Sequence, residues 1–158
     1  MEEVIDQVRG ILVRKHIDFR SNDSDDEFYV STGSALITVR FRLDDDGPCV
    51  CFVSNLLMDI DLTVAGTKER ALEAVNEVNA ATYAVKFVFY EEGRTIAAEH
   101  EILAARLQAV ELLDALDRMY RFADNYDDVF KEKVGSGVRA EDRYNQSKGS
   151  SDSEEIDV

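Results

Sequence analysis

Residues 71–102 constrain the fold most, because a helical pattern there runs directly into a β-hairpin pattern. Residues 84–90 and 95–102 each alternate apolar and polar side chains, as strands with one buried face do. The turn EEGR at residues 91–94 joins them and sets a single register for both strands. The alternation assigns these side chains of the first strand to the core: Val85, Phe87 and Phe89.

Helical spacing of apolar residues predicts three helices around this hairpin. The first covers residues 2–17, the second begins at the N-cap Thr67, and the third runs over residues 104–133. The second helix is expected to turn these side chains towards the core: Leu72, Val75 and Val78.

Three earlier strands complete the pattern, at residues 28–30, 35–43 and 49–53. The polar run at residues 20–27 is expected to be a surface connection. Residues 54–66 are too apolar for a free loop, and both an extension of the third strand and a packed crossover fit them. The order of elements predicts a two-layer α+β fold, α-β-β-β-α-β-β-α, with an antiparallel five-stranded sheet and the helices on one face.

Length and charge limit the class of protein. A chain of 158 residues suits one domain, which we place at residues 1–133, followed by a disordered acidic tail at residues 134–158. The formal net charge of −15 disfavours nucleic acids and anionic membranes as partners. No apolar run is long enough to span a bilayer, and the acidic N-terminus does not resemble a signal peptide, so we expect a cytoplasmic protein.

The sequence contains no recognisable catalytic motif, and we expect neither an enzyme nor a cofactor. Cys49 and Cys51 lie two apart in a predicted strand and share a face. A metal would need further ligands from His16 or His100, and no zinc spacing links them, so buried reduced cysteines and no metal are expected. His100 falls on the apolar side of its strand, as a core or edge histidine would.

The polar side of the sheet is a candidate partner-binding face, since arginine and tyrosine are enriched in interfaces. Its candidate residues are Arg40, Arg42, Lys86, Val88 and Tyr90. The alternative is that Glu99 and Glu101, on the same side of the hairpin, neutralise the cations through weak cross-strand pairs. Both interpretations remain open at this stage.

The last predicted helix carries two apolar stripes, and two stripes need two surfaces to cover them. One surface is the sheet, and the other is either the first helix or a partner subunit. The residues of a candidate self-association stripe are Leu112, Leu116 and Met119. Packing within the chain is the default interpretation, because alanines interrupt the heptad-like spacing, and a homodimer is the alternative.

Asn76 and Asn79, followed by VKFVFYEEGRTIAAEHEI, resemble the YbjN-type domain of bacteria, which is related in fold to secretion chaperones of the CesT type. The resemblance covers roughly residues 2–133. It implies a non-enzymatic chaperone-like or regulatory module that binds a peptide or protein client, and it allows dimerisation. A self-associating structural domain, or an enzyme without a recognisable motif, are the alternatives.

Overall fold

The computed structural model describes residues 1–32 and 35–144, and all structural statements below concern these residues. Its elements are α1 (Glu2–Arg14), β1 (Phe19–Ser21), β2 (Phe28–Thr32), β3 (Ala35–Asp44), β4 (Gly47–Met58), α2 (Thr67–Ala81), β5 (Lys86–Tyr90), β6 (Thr95–Leu103), α3 (Ala109–Val134) and β7 (Val138–Arg139). None of the helices in these ranges has the length and apolarity needed to cross a bilayer.

The strands form one antiparallel sheet in the order β1-β2-β3-β4-β6-β5, and β7 pairs with the end of β4. This confirms the predicted α+β class and the antiparallel sheet. The predicted number of five strands is too low, because the described sheet has seven. The additional strands are β1 and β7, which have only three and two residues.

All three long helices cover the same face of the sheet, as predicted. Along β4 the buried side chains alternate with less buried ones, and the buried set joins the core formed with the helices. The fully buried centre of this core includes Leu12 of α1, Val39, Phe52, Phe87 and Ile96 of the sheet, and Leu112 and Met119 of α3. Within residues 1–32 and 35–144, no long helix covers the opposite face of the sheet.

Two helix boundaries differ from the prediction. The first helix ends at Arg14, and His16 takes a left-handed φ of 54°, which turns the chain towards β1. The last helix begins at Ala109, because Gln108 and Glu111 form a reciprocal capping box that fixes its first turn. The apolar spacing continued upstream of that box and lengthened the predicted helix.

Residues 54–66 combine a strand and a turn. β4 continues to Met58, and the chain then leaves the sheet at Asp59, which has a left-handed φ of 52°. Ile60 is buried in the core, so the turn is anchored by an apolar side chain. Of the two interpretations of this segment, the extension of the third strand is correct for its first part.

The second helix is rotated relative to the prediction. Leu72 was expected to face the core but is 49% exposed, whereas Ala71, Ala74 and Val78 are buried. Small side chains on the buried side let the backbone of α2 come close to α3 and β5. The larger leucine is therefore left at the surface.

The domain boundary at residue 133 stays a prediction. The chain continues past it with Val134 buried, β7 paired with β4, and Ala140 buried. Residues 145–158, which contain the acidic end of the predicted tail, lie outside the described residues. The same holds for residues 33–34 in the turn between β2 and β3.

Candidate functional site

The sheet face opposite the helices is concave, and we call it the open face. It encloses a volume of about 1070 Å³. Strand register explains its composition, since rows of outward-pointing side chains run across β3, β4, β6 and β5. Residues that line the open face include Thr38, Arg40, Arg42, Cys51, Val53, Lys86, Tyr90, Glu99 and Glu101.

Four of the five predicted partner-binding residues line this concavity, and Val88 follows on the same side of β5. The structure therefore brings the candidate residues together on one surface. Whether a partner binds there remains a prediction.

The arginines of the open face are paired with carboxylates. The Arg42 guanidinium lies 2.7 Å from carboxylate oxygens of both Asp44 and Glu101. The Arg40 side chain pairs with Glu27, which sits just before β2. The expected neutralisation by Glu101 is thus observed for Arg42, while the partner of Arg40 comes from a different part of the chain.

Two tyrosine–glutamate hydrogen bonds extend this polar network. The hydroxyl of Tyr90 donates to Glu99, and the hydroxyl of Tyr29 donates to Glu27. The bond to Glu27 raises the pKa of Tyr29. Sequence reasoning missed Tyr29 and Glu27, although Tyr29 lies between the core residues of its strand and the alternation alone places it on the polar side.

The ion pairs hold the open face weakly. The side chains of Arg40 and Arg42 are more than half exposed, at 59% and 58%. The pairs of Arg42, whose partners Asp44 and Glu101 are 34% and 40% exposed, contribute about 0–1 kcal/mol each, since water screens them. An incoming carboxylate can therefore replace them at a low cost, whereas Glu27 is only 19% exposed and its pair with Arg40 is screened less.

Asn79 of α2 fixes the strand at the end of the sheet. Its Nδ2 donates to the Phe87 carbonyl oxygen at 2.9 Å, and its Oδ1 accepts from the Phe87 N–H at 2.8 Å. These two backbone groups point away from β6, towards the edge of the sheet. Asn79 therefore occupies the hydrogen-bonding position that a further strand would need at Phe87.

The candidate self-association stripe is not available on the surface. Leu112, Leu116 and Met119 are all buried among core residues of the same chain. This is the intramolecular packing that was the default interpretation. A homodimer stays a prediction, and it would have to use a different surface.

His100 lies on the helix-covered side of β6, directly opposite Phe52 of β4, and its ring stacks on Phe52 with 6.2 Å between ring centroids. Burial and the nearby Arg118 guanidinium lower the pKa of His100 below its usual 6.5. The half-buried ring thus lies on the apolar side of its strand, as the alternation predicted. It is neutral at pH 7.

We expect His100 to make the fold sensitive to acid. Because its pKa is lowered on folding, the unfolded chain binds the proton more readily, so stability is lost as the pH falls through 6.5 towards the lowered value. Replacing His100 with glutamine should flatten the pH dependence of the free energy of unfolding between about pH 7 and pH 5. Urea titrations of both proteins at several pH values measure the free energy of unfolding. The same pH dependence for the two proteins would contradict the prediction.

Cys49 and Cys51 are free thiols; Cys49 is buried as expected, whereas Cys51 is only half-buried. Burial raises the pKa of both, to about 12 for Cys51. Their neighbours include the carboxyl groups of Asp44 and Glu101, a set of donors that the sequence did not bring together.

The profile of one protein family matches almost the whole described chain. The TY-Chap1 family, described as T3SS (YopN, CesT) and YbjN peptide-binding chaperone 1, matches residues 2–143. The chain belongs to this family of peptide-binding chaperones. The resemblance inferred from the helix and hairpin around Asn79 is thereby confirmed.

Solved structures share the fold at low sequence identity. The structure of YbjN from E. coli, described as a proposed transcription regulator, has a TM-score of 0.60 at 10% identity. The match covers 86% of this chain and 96% of the YbjN chain. A chain of the ExsC–ExsE complex gives 0.58 at 14% identity, with coverages of 82% and 94%. A chain of the HopA1–SchA chaperone–effector complex gives 0.55 at 11% identity, with coverages of 81% and 97%. No curated protein sequence matches the chain.

Proposed function

We propose that this chain is a non-enzymatic, chaperone-like module that binds a peptide or protein client. The observation that carries the proposal is the family match over residues 2–143. A chain in a chaperone–effector complex shares the fold. We further propose a cytoplasmic location and no nucleic-acid or membrane partner, in keeping with the net charge of −15.

The open face is the proposed client site. Its concavity of about 1070 Å³ offers exposed arginine and tyrosine side chains, which are frequent in binding hot spots. The ion pairs of Arg42 are exposed on both sides, so a client can replace its carboxylate partners at a low cost. Strand addition at Phe87 is blocked by Asn79, which leaves the open face as the better site for an extended peptide.

A self-associating structural protein is the alternative function. The apolar stripe that suggested it is buried in the core of the chain, so this alternative has lost its proposed interface. Sedimentation separates the two functions, because a strict monomer that still binds peptides excludes self-assembly as the role.

We expect the double variant Arg40→Ala/Tyr90→Ala to bind selected peptides at least about 10-fold more weakly. A loss of this size corresponds to the removal of one to two hot-spot side chains. Peptides are selected from a random phage-displayed library on the purified full-length protein, then synthesised and titrated by fluorescence anisotropy. The reason is direct, since both side chains are exposed on the open face and neither contributes to the core.

The matched control is Arg121→Ala/Tyr83→Ala, which removes the same two residue types elsewhere. Arg121 and Tyr83 are both exposed and belong to another part of the surface, around residues 81–84 and α3. The control should bind within about twofold of the unchanged protein. Equal binding by both double variants would remove the open face as the site, whereas a library that yields no binder would contradict the function itself.

A further inference from the structure

Four side chains that can bind a metal lie on one face near the end of the β3–β4 hairpin. Cys49 and Cys51 point to the same side of β4, and the register places Glu101 of β6 directly opposite Cys51. The hairpin returns Asp44 to the same corner, since Asp44 pairs with Gly47. Ligand atoms of Asp44, Cys49 and Glu101 lie within 4.8 Å of one another, and Cys51, which is outside this group of three, has its Sγ 3.3 Å from Glu101 Oε2.

Two sulfur–oxygen distances are close to the edge length of a tetrahedral zinc site. With Zn–S bonds of about 2.3 Å and Zn–O bonds of about 2.0 Å, the edge between a sulfur and an oxygen ligand is about 3.5 Å. The Cys49 Sγ lies 3.7 Å from Asp44 Oδ2, and the Cys51 Sγ lies 3.3 Å from Glu101 Oε2. We propose that Asp44, Cys49, Cys51 and Glu101 form a binding site for a thiophilic divalent cation of the Zn²⁺ class.

The mixed donor set selects the class of cation. Two thiolates favour borderline metals such as Zn²⁺, because Mg²⁺ and Ca²⁺ prefer oxygen ligands alone. The two carboxylates complete four ligands, which is the usual number for zinc in proteins. Three neighbouring strands hold the donors in fixed register, so little of the chain has to be ordered on binding.

Arg42 places its guanidinium at the position beside the two carboxylates that a bound cation would take. Its guanidinium contacts the carboxylates of both Asp44 and Glu101. Its side chain is 58% exposed, and exposed ion pairs contribute little, so the guanidinium can swing into solvent. A dication bound by two thiolates attracts the carboxylates of Asp44 and Glu101 more strongly than the guanidinium does and takes its place. The two thiol protons are released to solvent.

The test is a Co²⁺ titration of the reduced full-length protein, followed by displacement with Zn²⁺. We expect a near-ultraviolet thiolate-to-cobalt charge-transfer band that saturates at one equivalent and disappears when Zn²⁺ is added. Cys49→Ser and Cys51→Ser should each weaken binding at least about 100-fold, since each removes a direct ligand. The absence of the band at one equivalent would overturn the site.

Two surface variants make the test independent of folding, because Arg42 and Glu101 are exposed. Glu101→Gln should weaken Co²⁺ binding, whereas Arg42→Ala should tighten it, since it removes the competing cation. The control Arg121→Ala, another exposed arginine in an ion pair, should leave the affinity unchanged. Equal affinities for Arg42→Ala and the unchanged protein, or a band that persists in concentrated urea, would overturn the proposal.

Discussion

Replacing Asn79 with alanine is expected to lower the free energy of unfolding by about 2–4 kcal/mol. The Asn79 amide supplies both a donor and an acceptor to the backbone of Phe87, at 2.9 Å and 2.8 Å. Phe87 is buried, so truncation leaves two of its backbone groups without a partner and away from water. Urea unfolding followed by circular dichroism measures the loss.

Asn76 provides the matched control, because it is the same residue type on the same helix but exposed. Asn76→Ala should change the free energy of unfolding by no more than about 0.5 kcal/mol. Asn79→Asp should fall between the two, since its carboxylate can accept from the Phe87 N–H but cannot donate to the carbonyl. A loss for Asn79→Ala no larger than that for Asn76→Ala would show that the amide bridge contributes nothing.

Periodicity predicted the parts of the fold in which one face of an element is buried over several residues. The alternation of Ile37, Val39 and Phe41 gave β3, because every second side chain has to enter the same core. The hairpin of β5 and β6 followed from the same rule. Its alternation also separated the core side chains from those of the open face.

Short strands and capped helix ends could not be predicted from periodicity. β1 and β7 are too short to show any period, and their pairing depends on neighbours distant in sequence. Apolar spacing predicted that Leu72 faces the core, whereas the close approach of α2 favours the small side chains of Ala71 and Ala74 there. The capping pair Gln108 and Glu111 was visible in the sequence as a polar spacing, but the apolar residues before it obscured the start of the helix.

The sequence predicted which side of the sheet the candidate site residues occupy, but not which side chains they contact. Alternation placed Arg40, Arg42 and Tyr90 on one side of the sheet, whereas the partners of each depend on register between strands. Glu27 contacts Arg40 from just before the neighbouring strand, and Asp44 lies close to Glu101 and Cys49. These contacts join residues of different strands, and no local sequence pattern predicts them.

A chain ending after Lys133 should be less stable than one ending after Tyr144 by about 3–5 kcal/mol. The shorter chain loses Val134, whose full burial alone is worth about 1.5–3 kcal/mol. It also loses buried Ala140 and the pairing of β7 with β4, where each hydrogen bond adds about 1 kcal/mol. Urea unfolding of the two purified chains measures the difference, and equal stability would place the domain boundary at residue 133.

A point substitution in the chain ending after Tyr144 tests the docking of β7 without deleting residues. Gly137 has a φ of +93°, and a Cβ there would lie 2.8 Å from the Met58 carbonyl oxygen, so Gly137→Ala combines backbone strain with a clash against β4. Gly135 has a φ of +68° with nothing within 4 Å of the added atom, which makes Gly135→Ala the control for strain alone. We expect the control to cost about 1 kcal/mol and Gly137→Ala to cost at least about 1 kcal/mol more, because the clash is with backbone that cannot move aside. Equal losses would mean that the contact between β7 and the end of β4 does not stabilise the fold.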